Sequence, residues 1–183
     1  VRASLALWAN SETANRTINW TGGVGTIEGL VHSNNDVRAR GEAKTFAGPV
    51  EYVGSVSTSN AVVLSQTPTQ VAPSDYPVRF DLAHYEPGGR AAVDAGTAYF
   101  DMSSECGNRW DPTGPLASGL YYVPCDVKLN ADALAGTVTI AAEGDIQVSG
   151  SDADFEPFID GLLFISDSAG GQSIQVSSNE STY

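Results

Sequence analysis

Four acidic side chains lie close together near the C-terminal end of the sequence, at Asp152, Asp154, Glu156 and Asp160. Carboxylate oxygens are the ligands that Ca²⁺ prefers, and a pair of carboxyl groups can also hydrolyse a glycosidic bond as acid and base. The Lys and Arg residues that would bind acidic sugars are scarce in this chain. We expect a solvated acidic loop here and no bound cofactor, with a calcium site as the first alternative and catalysis as the second.

The two histidines, His32 and His84, offer weaker grounds for catalysis. No G-x-S-x-G turn accompanies them, so the sequence lacks this signature of a serine hydrolase. We expect His32 to be a hydrogen-bonded structural residue of a strand. His84 could join Asp81 and Glu86 in a metal site, but this spacing matches no established ligand motif. The sequence therefore predicts no enzyme.

The two cysteines, Cys106 and Cys125, flank a segment that contains Pro and Gly and has the character of a loop. A disulfide across a loop of this size would stabilise the fold by roughly 3 kcal/mol. An even number of cysteines in a loop-rich, acidic chain favours a disulfide and an extracytoplasmic location, and two unrelated thiols are the alternative. Trp110 lies inside this loop, where we expect it to pack, with an exposed contact as the alternative.

Composition narrows the class of protein further. The hydrophobic content of 42% suits a packed core, and the low charged fraction of 17% with abundant Gly, Ser and Thr suits short strands and tight turns. With 9 basic and 22 acidic residues the net charge is −13. Such a surface repels nucleic-acid backbones and anionic membranes, so neither is expected as a partner.

An internal repeat of 19 residues predicts the elements that would position these side chains. Residues 18–22 match residues 37–41 at this offset, 26–31 match 45–50, and a third copy continues at 56–58 and at Val62, which is aligned with Val24 and Ala43. Apolar residues alternate within each copy, which indicates strands with one buried face. Because such a short unit cannot bury its apolar face alone, equal repeats of this length stack on one another.

The pattern returns late in the chain, where residues 140–150 match 31–41 and residues 174–178 repeat 146–150 after 28 residues. Between them the period is lost in a segment rich in proline. We therefore predict one all-β domain over residues 1–183, a short right-handed parallel β-helix with about 19 residues per coil. Its coils would cover residues 15–64 and 134–180, and an irregular, disulfide-tied insertion would cover 65–133. Within the insertion we expect strands at 94–100 and 120–123 and a short helix near 130–134.

Five stretches resemble a block in bacterial envelope proteins associated with tight-adherence (Flp-type) pilus assembly. They are residues 7–10 (LWAN), 29–34 (GLVHSN), 48–53 (GPVEYV), 136–146 (GTVTIAAEGDI) and 160–164 (DGLLF). The resemblance implies an extracytoplasmic domain similar to a short β-helix, with a membrane anchor before Val1 and a further strand after Tyr183. It carries no catalytic residues over to this chain.

These features favour a non-catalytic structural or adhesion module on a bacterial cell surface, secreted or anchored to the membrane and associated with a pilus. Its partner would be an envelope protein or a glycan. The alternatives are a carbohydrate-binding or polysaccharide-degrading β-helix protein that uses the carboxylates at 151–160, and a surface module that calcium stabilises. In each case the irregular insertion is where we expect specificity to lie.

Overall fold

The computed structural model describes residues 5–9, 11, 17–74, 81–130, 135–151, 154–159, 161–169, 173–179 and 181–182. About half of these residues lie in short β-strands, and every pair of neighbouring strands is parallel. The strands form a 13-stranded sheet and a 7-stranded sheet. The prediction of a mostly β fold is confirmed.

The strands stand in three columns, and neighbours within a column belong to successive repeats. The first column is the 7-stranded sheet, in the order β12 (Arg109–Trp110), β14 (Asp126–Asn130), β16 (Ile146–Ser151), β19 (Ile174–Asn179), β2 (Ile18–Gly22), β5 (Val37–Ala39) and β8 (Val56–Thr58). The second runs through the first half of β15 (Ala135–Ala142), β17 (Asp154–Pro157), β20 (Ser181–Thr182), β3 (Gly25–Ile27), β6 (Lys44–Phe46) and β9 (Val62–Leu64). The third runs through β11 (Tyr99–Asp101), β13 (Gly119–Val123), the second half of β15, β18 (Phe164–Ser166), β1 (Leu5–Ala9), β4 (Leu30–Ser33), β7 (Val50–Tyr52) and β10 (Thr69–Gln70).

The order of strands along this stack differs from their order along the chain. Strand β19 pairs with β2, and β1 pairs with both β18 and β4, so the two ends of the chain meet in the middle of the stack. One repeat is therefore shared, with β19 and β20 from the C-terminal part and β1 from the N-terminal part. The stack ends at β8, β9 and β10 on one side, which we name the open end. It ends at β11, β12 and the loop of residues 102–117 on the other side, which we name the capped end.

The strand register confirms the 19-residue repeat at nearly every aligned position. Ile18 pairs with Val37, and Val37 pairs with Val56. The late matches also hold, because Ile146 pairs with Ile174, and Ile174 in turn pairs with Ile18. One alignment is wrong: Val62 pairs with Lys44 and not with Ala43. The turn before β9 is one residue shorter, closed by a hydrogen bond of 3.0 Å from the Val62 amide to the carbonyl of Ser59.

The interior of the stack is filled by the alternate residues that the pattern predicted. In the first column one inward position is isoleucine or valine in five successive repeats, and these five side chains are almost fully buried: Val127, Ile146, Ile174, Ile18 and Val37. Trp20 takes the next inward position of β2 and meets the edge of Phe46 in the second column, with ring centroids 5.2 Å apart. Aliphatic and aromatic side chains at matched heights thus form one continuous core, which stabilises strands too short to be stable alone.

Turns between the columns are tied from one repeat to the next by aspartate side chains. The Asp126 carboxylate accepts a hydrogen bond of 2.9 Å from the amide of Asp145, which lies 19 residues later. A side chain at Gly144 would overlap the same carboxylate, because a Cβ there would lie 2.2 Å from its oxygen. The arrangement recurs where Asp36 accepts from the amide of Ser55 at 2.7 Å, also 19 residues apart. Asp36 and Asp126 thus each tie their own turn to the equivalent turn 19 residues later.

The outer face of the third column is covered by residues 81–98, which precede β11 and which we name the covering segment. This segment contains a 3-10 turn at Leu82–His84, the helix α1 (Arg90–Ala95) and a second 3-10 turn at Gly96–Ala98. Its apolar residues Leu82, Tyr85 and Ala91 pack on the outward-facing apolar residues of the third column and bury them. The residues of the column in this cluster are Trp8, Leu120, Tyr122, Ala141 and Ile165. Among the described residues no helix is long and apolar enough to span a membrane.

Two expectations for the insertion need correction. The strand predicted at 94–100 is wrong in its first part, because α1 and the second 3-10 turn continue to Ala98 and only Tyr99–Asp101 is a strand. Asn130, expected to begin a helix, ends β14, and residues 131–134 lie outside the described part. The stack also reaches into the range 65–133, because the five strands β10 to β14 all belong to its columns. Their shared register, which Pro- and Gly-rich turns conceal in the sequence, brings these strands into the stack.

Candidate functional site

The loop between Cys106 and Cys125, which we name the cysteine loop, borders an open cavity of about 840 Å³ at the capped end. Strands β11 and β12 form two of its walls, and residues 111–117 run past it on the third side of the stack. The lining residues are Tyr99, Phe100, Asp101, Met102, Glu105, Arg109, Trp110, Asp111, Pro112, Thr113, Gly114, Pro115, Leu116, Ala117 and Tyr121. A volume of this size is typical of sites for small ligands.

Three stacked aromatic rings form the floor of the cavity. Tyr121 lies between the other two, with its ring centroid 4.6 Å from that of Phe100 and 5.5 Å from that of Trp110. The interplanar angles are 19° and 25°, so both contacts are offset stacks. The Tyr121 hydroxyl donates to the carbonyl of Ala117 at 2.9 Å, and burial raises the pKa of Tyr121. Trp110 is only 4% exposed, so its predicted packing role is confirmed.

The rim of the cavity is polar and carries more acid than base. Asp101 accepts from the amide of Ser103 at 2.9 Å, and Arg109 donates to Asp111 at 3.1 Å, with both side chains of that ion pair nearly half exposed. Glu105 is exposed on the same rim. Three carboxylates and one guanidinium therefore surround the aromatic floor, which gives the cavity a net negative potential.

The disulfide between Cys106 and Cys125 holds the loop on the stack, as the sequence predicted. Their Cα atoms are 6.0 Å apart, and the two residues are 19 positions apart in the chain, which is one repeat. The bond thus joins equivalent turns of successive repeats. It fixes Cys106 next to the residue that begins β14, while the Cys106 amide donates to the carbonyl of Met102 at 3.0 Å.

Two tyrosine hydroxyls at the capped end donate hydrogen bonds, that of Tyr99 to the covering segment and that of Tyr122 to the turn after β15. The Tyr99 hydroxyl donates to the carbonyl of Tyr85 at 3.0 Å, and burial, with smaller contributions from Asp101 and Glu86, raises the pKa of Tyr99 to about 12. Tyr122 donates to the carboxylate of Glu143, and burial followed by that carboxylate raises its pKa as well. Both hydroxyls are therefore protonated donors at neutral pH.

His32 lies far from the cavity, on the outer face of β4. Its ring stacks on Trp8 with centroids 4.0 Å apart, and its two nitrogens lie 3.0 Å from Glu51 and 3.0 Å from the side-chain oxygen of Asn34. At 1% exposure the ring packs and hydrogen-bonds as the sequence predicted. Trp8 itself lies in β1, in the middle of the stack.

The candidate metal ligands are not brought together in the described part of the chain. His84 lies in the first 3-10 turn against Tyr85, and the carboxylate of Asp81 accepts from the amide of Ala83 at 3.1 Å. No group of three or more His, Cys, Asp or Glu side chains there is close enough to hold a metal ion. Glu86 belongs to no such group.

The carboxylates at 151–160 are only partly visible in the structure. Asp154 and Glu156 occupy alternate positions of β17 and are exposed, while Phe155 between them is buried in the core. Both carboxylates therefore point to the same outer side of the second column. Asp152 and Asp160 lie outside the described residues, so the calcium site stays a prediction.

A buried cation in the core was not anticipated from the sequence. Lys44 is 1% exposed, and its ammonium group donates to the carbonyls of Gly22 at 2.5 Å and Gly23 at 2.6 Å, with the ring of Trp20 5.6 Å away. Burial lowers the pKa of Lys44, while nearby Glu42 acts in the opposite direction. The sequence held one sign of this burial: Lys44 is two residues before Phe46 and so falls on the same, inward side of β6. We assign the Lys44 side chain a structural role, in which its ammonium group closes the turn at Gly22 and Gly23.

The sequence singled out the cysteine loop and Trp110 but missed the residues that complete the cavity, Phe100, Tyr121, Asp101 and Glu105. Phe100 and Tyr121 fall in predicted strands, where an aromatic residue is typical, so nothing set them apart. No protein-family model, curated protein or solved structure matches this chain, and the argument for function therefore depends on the geometry.

Proposed function

We propose that this chain is a non-catalytic adhesion module of a bacterial surface, in which a rigid β stack presents the cavity at the capped end to a saccharide. The observation that carries this proposal is the cavity itself, an aromatic floor with a carboxylate rim held in place by a covalent tie. The disulfide supports an extracytoplasmic location, because such bonds persist in oxidising compartments. Association with a pilus is part of the proposal and depends on the sequence resemblance.

The scaffold in this proposal is a short right-handed parallel β-helix. Three parallel columns, a common repeat of 19 residues and a single core between the columns support it. Right-handed connection is the strong preference for parallel strands joined by a crossover. A scaffold of this kind holds its end loops in fixed positions, which favours recognition with little loss of entropy on binding.

The chemistry of the cavity suits neutral or amino sugars. A pyranose ring has an apolar face that can lie on the half-buried ring of Phe100, which stacks on Tyr121, and its hydroxyl groups can donate to carboxylates such as Glu105. The three carboxylates of the rim repel uronates and sulfated sugars. Arg109 is held by Asp111 and is therefore less able to bind an anion.

Binding of the folded protein to an array of neutral, amino and acidic glycans tests the proposal. We expect binding among the neutral and amino sugars, and a loss of about tenfold or more in Glu105→Gln, because a hydrogen bond to a charged group contributes about 1.5–3 kcal/mol. Glu28→Gln is the matched control, because Glu28 is exposed and lies outside the cavity. Absence of glycan binding, or equal binding by both variants, would contradict the saccharide site.

The cellular role has a separate test in a strain that lacks the gene. We expect fewer attached cells, with attachment restored by the wild-type chain and not by Glu105→Gln. Normal attachment in the deletion strain would contradict the adhesion role even if the purified protein binds a glycan.

A further inference from the structure

The open end leaves three strand edges unpaired in the described part of the chain. Strand β8 pairs with β5, β9 with β6 and β10 with β7, and no described strand lies beyond them. Each therefore presents backbone N–H and C=O groups that could pair with a further strand. Exposed edges of this kind associate with other chains unless something blocks them.

The core is also less completely covered at this end. Val56, Val62 and Leu64 are half-buried, whereas Val37 and Phe46, their neighbours one repeat further in, are each 1% exposed. An apolar layer thus lies beneath the three edges, and covering it would remove further apolar surface from water.

Residues 53–74, which form this end, contain no Asp, Glu, Lys, Arg or His, although the chain has 22 acidic and 9 basic residues. None of the charged residues that commonly protect an edge strand against pairing is present there. After β10 the described chain turns away from the open end. The Val71 amide donates to the carbonyl of Tyr52, and the Ser74 amide then donates to the side-chain oxygen of Asn34, which lies two repeats further into the stack than β10.

We propose that the open end is a self-association surface through which two copies of this chain join end to end. Three edges around one core can be matched together only by another end with three edges, which a second copy supplies and a single extended peptide does not. Two chains with a net charge of −13 repel each other, and this uncharged end lets them meet without close like charges. The interface would be isologous, with the same residues on both sides.

Sedimentation equilibrium of the full chain tests this, with two matched variants. Val63 is 56% exposed at the open end and Val93 is 65% exposed on α1, so each tolerates a charge in the monomer. We expect a dimer in the wild type, a dissociation constant raised at least about tenfold in Val63→Glu, and no change in Val93→Glu. Added salt should strengthen the wild-type dimer, because it screens the repulsion between the two acidic chains.

A wild-type chain that stays monomeric at about 1 mM would overturn the proposal and leave the open end for strand addition by a different protein. Equal dissociation constants for the two variants would also overturn it, because the dimer would then form elsewhere. Circular dichroism of Val63→Glu verifies that the variant is folded. Glycan binding at the opposite end is measured separately, so failure of this proposal leaves the proposed function untouched.

Discussion

The two ends of this stack are made from the same strand repeat but present opposite surfaces. At the capped end a disulfide, a stacked aromatic floor and charged side chains cover the last strands. At the open end the last strands carry no charged residue, and the outermost apolar layer is half-buried. The comparison teaches that a repeat specifies its own stacking, while the residues outside the repeat decide what the surface at each end can bind.

The largest expected difference between two positions concerns Phe46 and Leu64, which are paired neighbours of the second column. Phe46 is 1% exposed, so Phe46→Ala should lower the free energy of unfolding by about 3–5 kcal/mol. Leu64 is half-buried in the last layer, and Leu64→Ala should cost only about 1–2 kcal/mol in the monomer, since a full cavity is not created. Urea unfolding in dilute solution measures both. Equal losses would show that the open end is covered.

Reduction of the Cys106–Cys125 disulfide should have the next largest effect. The bond closes a short loop, so its loss is expected to lower the free energy of unfolding by about 3 kcal/mol. Glycan binding should weaken as the loop moves away from Tyr121, whereas self-association at the open end should be unchanged. The double variant Cys106→Ser/Cys125→Ser, compared with the oxidised wild type by urea unfolding and sedimentation, measures this. Loss of self-association in that variant would show that the two ends are coupled.

A smaller effect is expected from alkaline titration of the capped end. The pKa of Tyr99 is about 12 in the folded chain, against an ordinary value of 10.0. The folded state therefore binds more protons than the unfolded state between these values. Stability from this group is complete below pH 10 and falls as the pH rises to about 12. Tyr99→Phe should reduce the slope of stability against pH in this range, as measured by urea unfolding. An unchanged slope would contradict the raised pKa.

Sequence reasoning recovered the part of the fold that a period can express. Equal spacing of Ile18, Val37 and Val56 predicted their register, because a repeated pattern of buried residues is satisfied only when the repeats align. The position of Val62 was missed by one residue, since the shortening of a turn leaves no mark in an alternating pattern. The pairing of β19 with β2 joins opposite ends of the chain, and contacts this distant follow only from the whole stack.

The candidate site was predictable only in outline for a related reason. Cys106, Cys125 and Trp110 stood out by residue type, and the disulfide followed from their context. The partners of Trp110 in the aromatic floor come from β11 and β13, and their pairing places Phe100 directly beside Tyr121. No local pattern distinguishes these two rings from ordinary aromatic residues of a strand.

The smallest expected effect is that of added Ca²⁺ on the melting temperature. It would act through the acidic residues at 152–160, which are part of neither the capped end nor the open end. If Asp152, Asp154, Glu156 and Asp160 hold the ion, added Ca²⁺ should raise the melting temperature, and EDTA should reverse the change. Asp154→Asn is the variant of choice, because Asp154 is exposed and its loss should not disturb the core. A melting temperature that is the same in Ca²⁺ and in EDTA would remove the calcium site.

Hydrogen exchange of the full chain at two protein concentrations is the most direct test of the contrast between the ends. In dilute protein, amides of β8, β9 and β10 should exchange fast and those of β13 slowly, because β13 is paired on both sides. At high concentration the open-end amides should become protected, while those of β13 should not change. Protection at the open end that is already high in dilute protein, or that does not depend on concentration, would contradict the account.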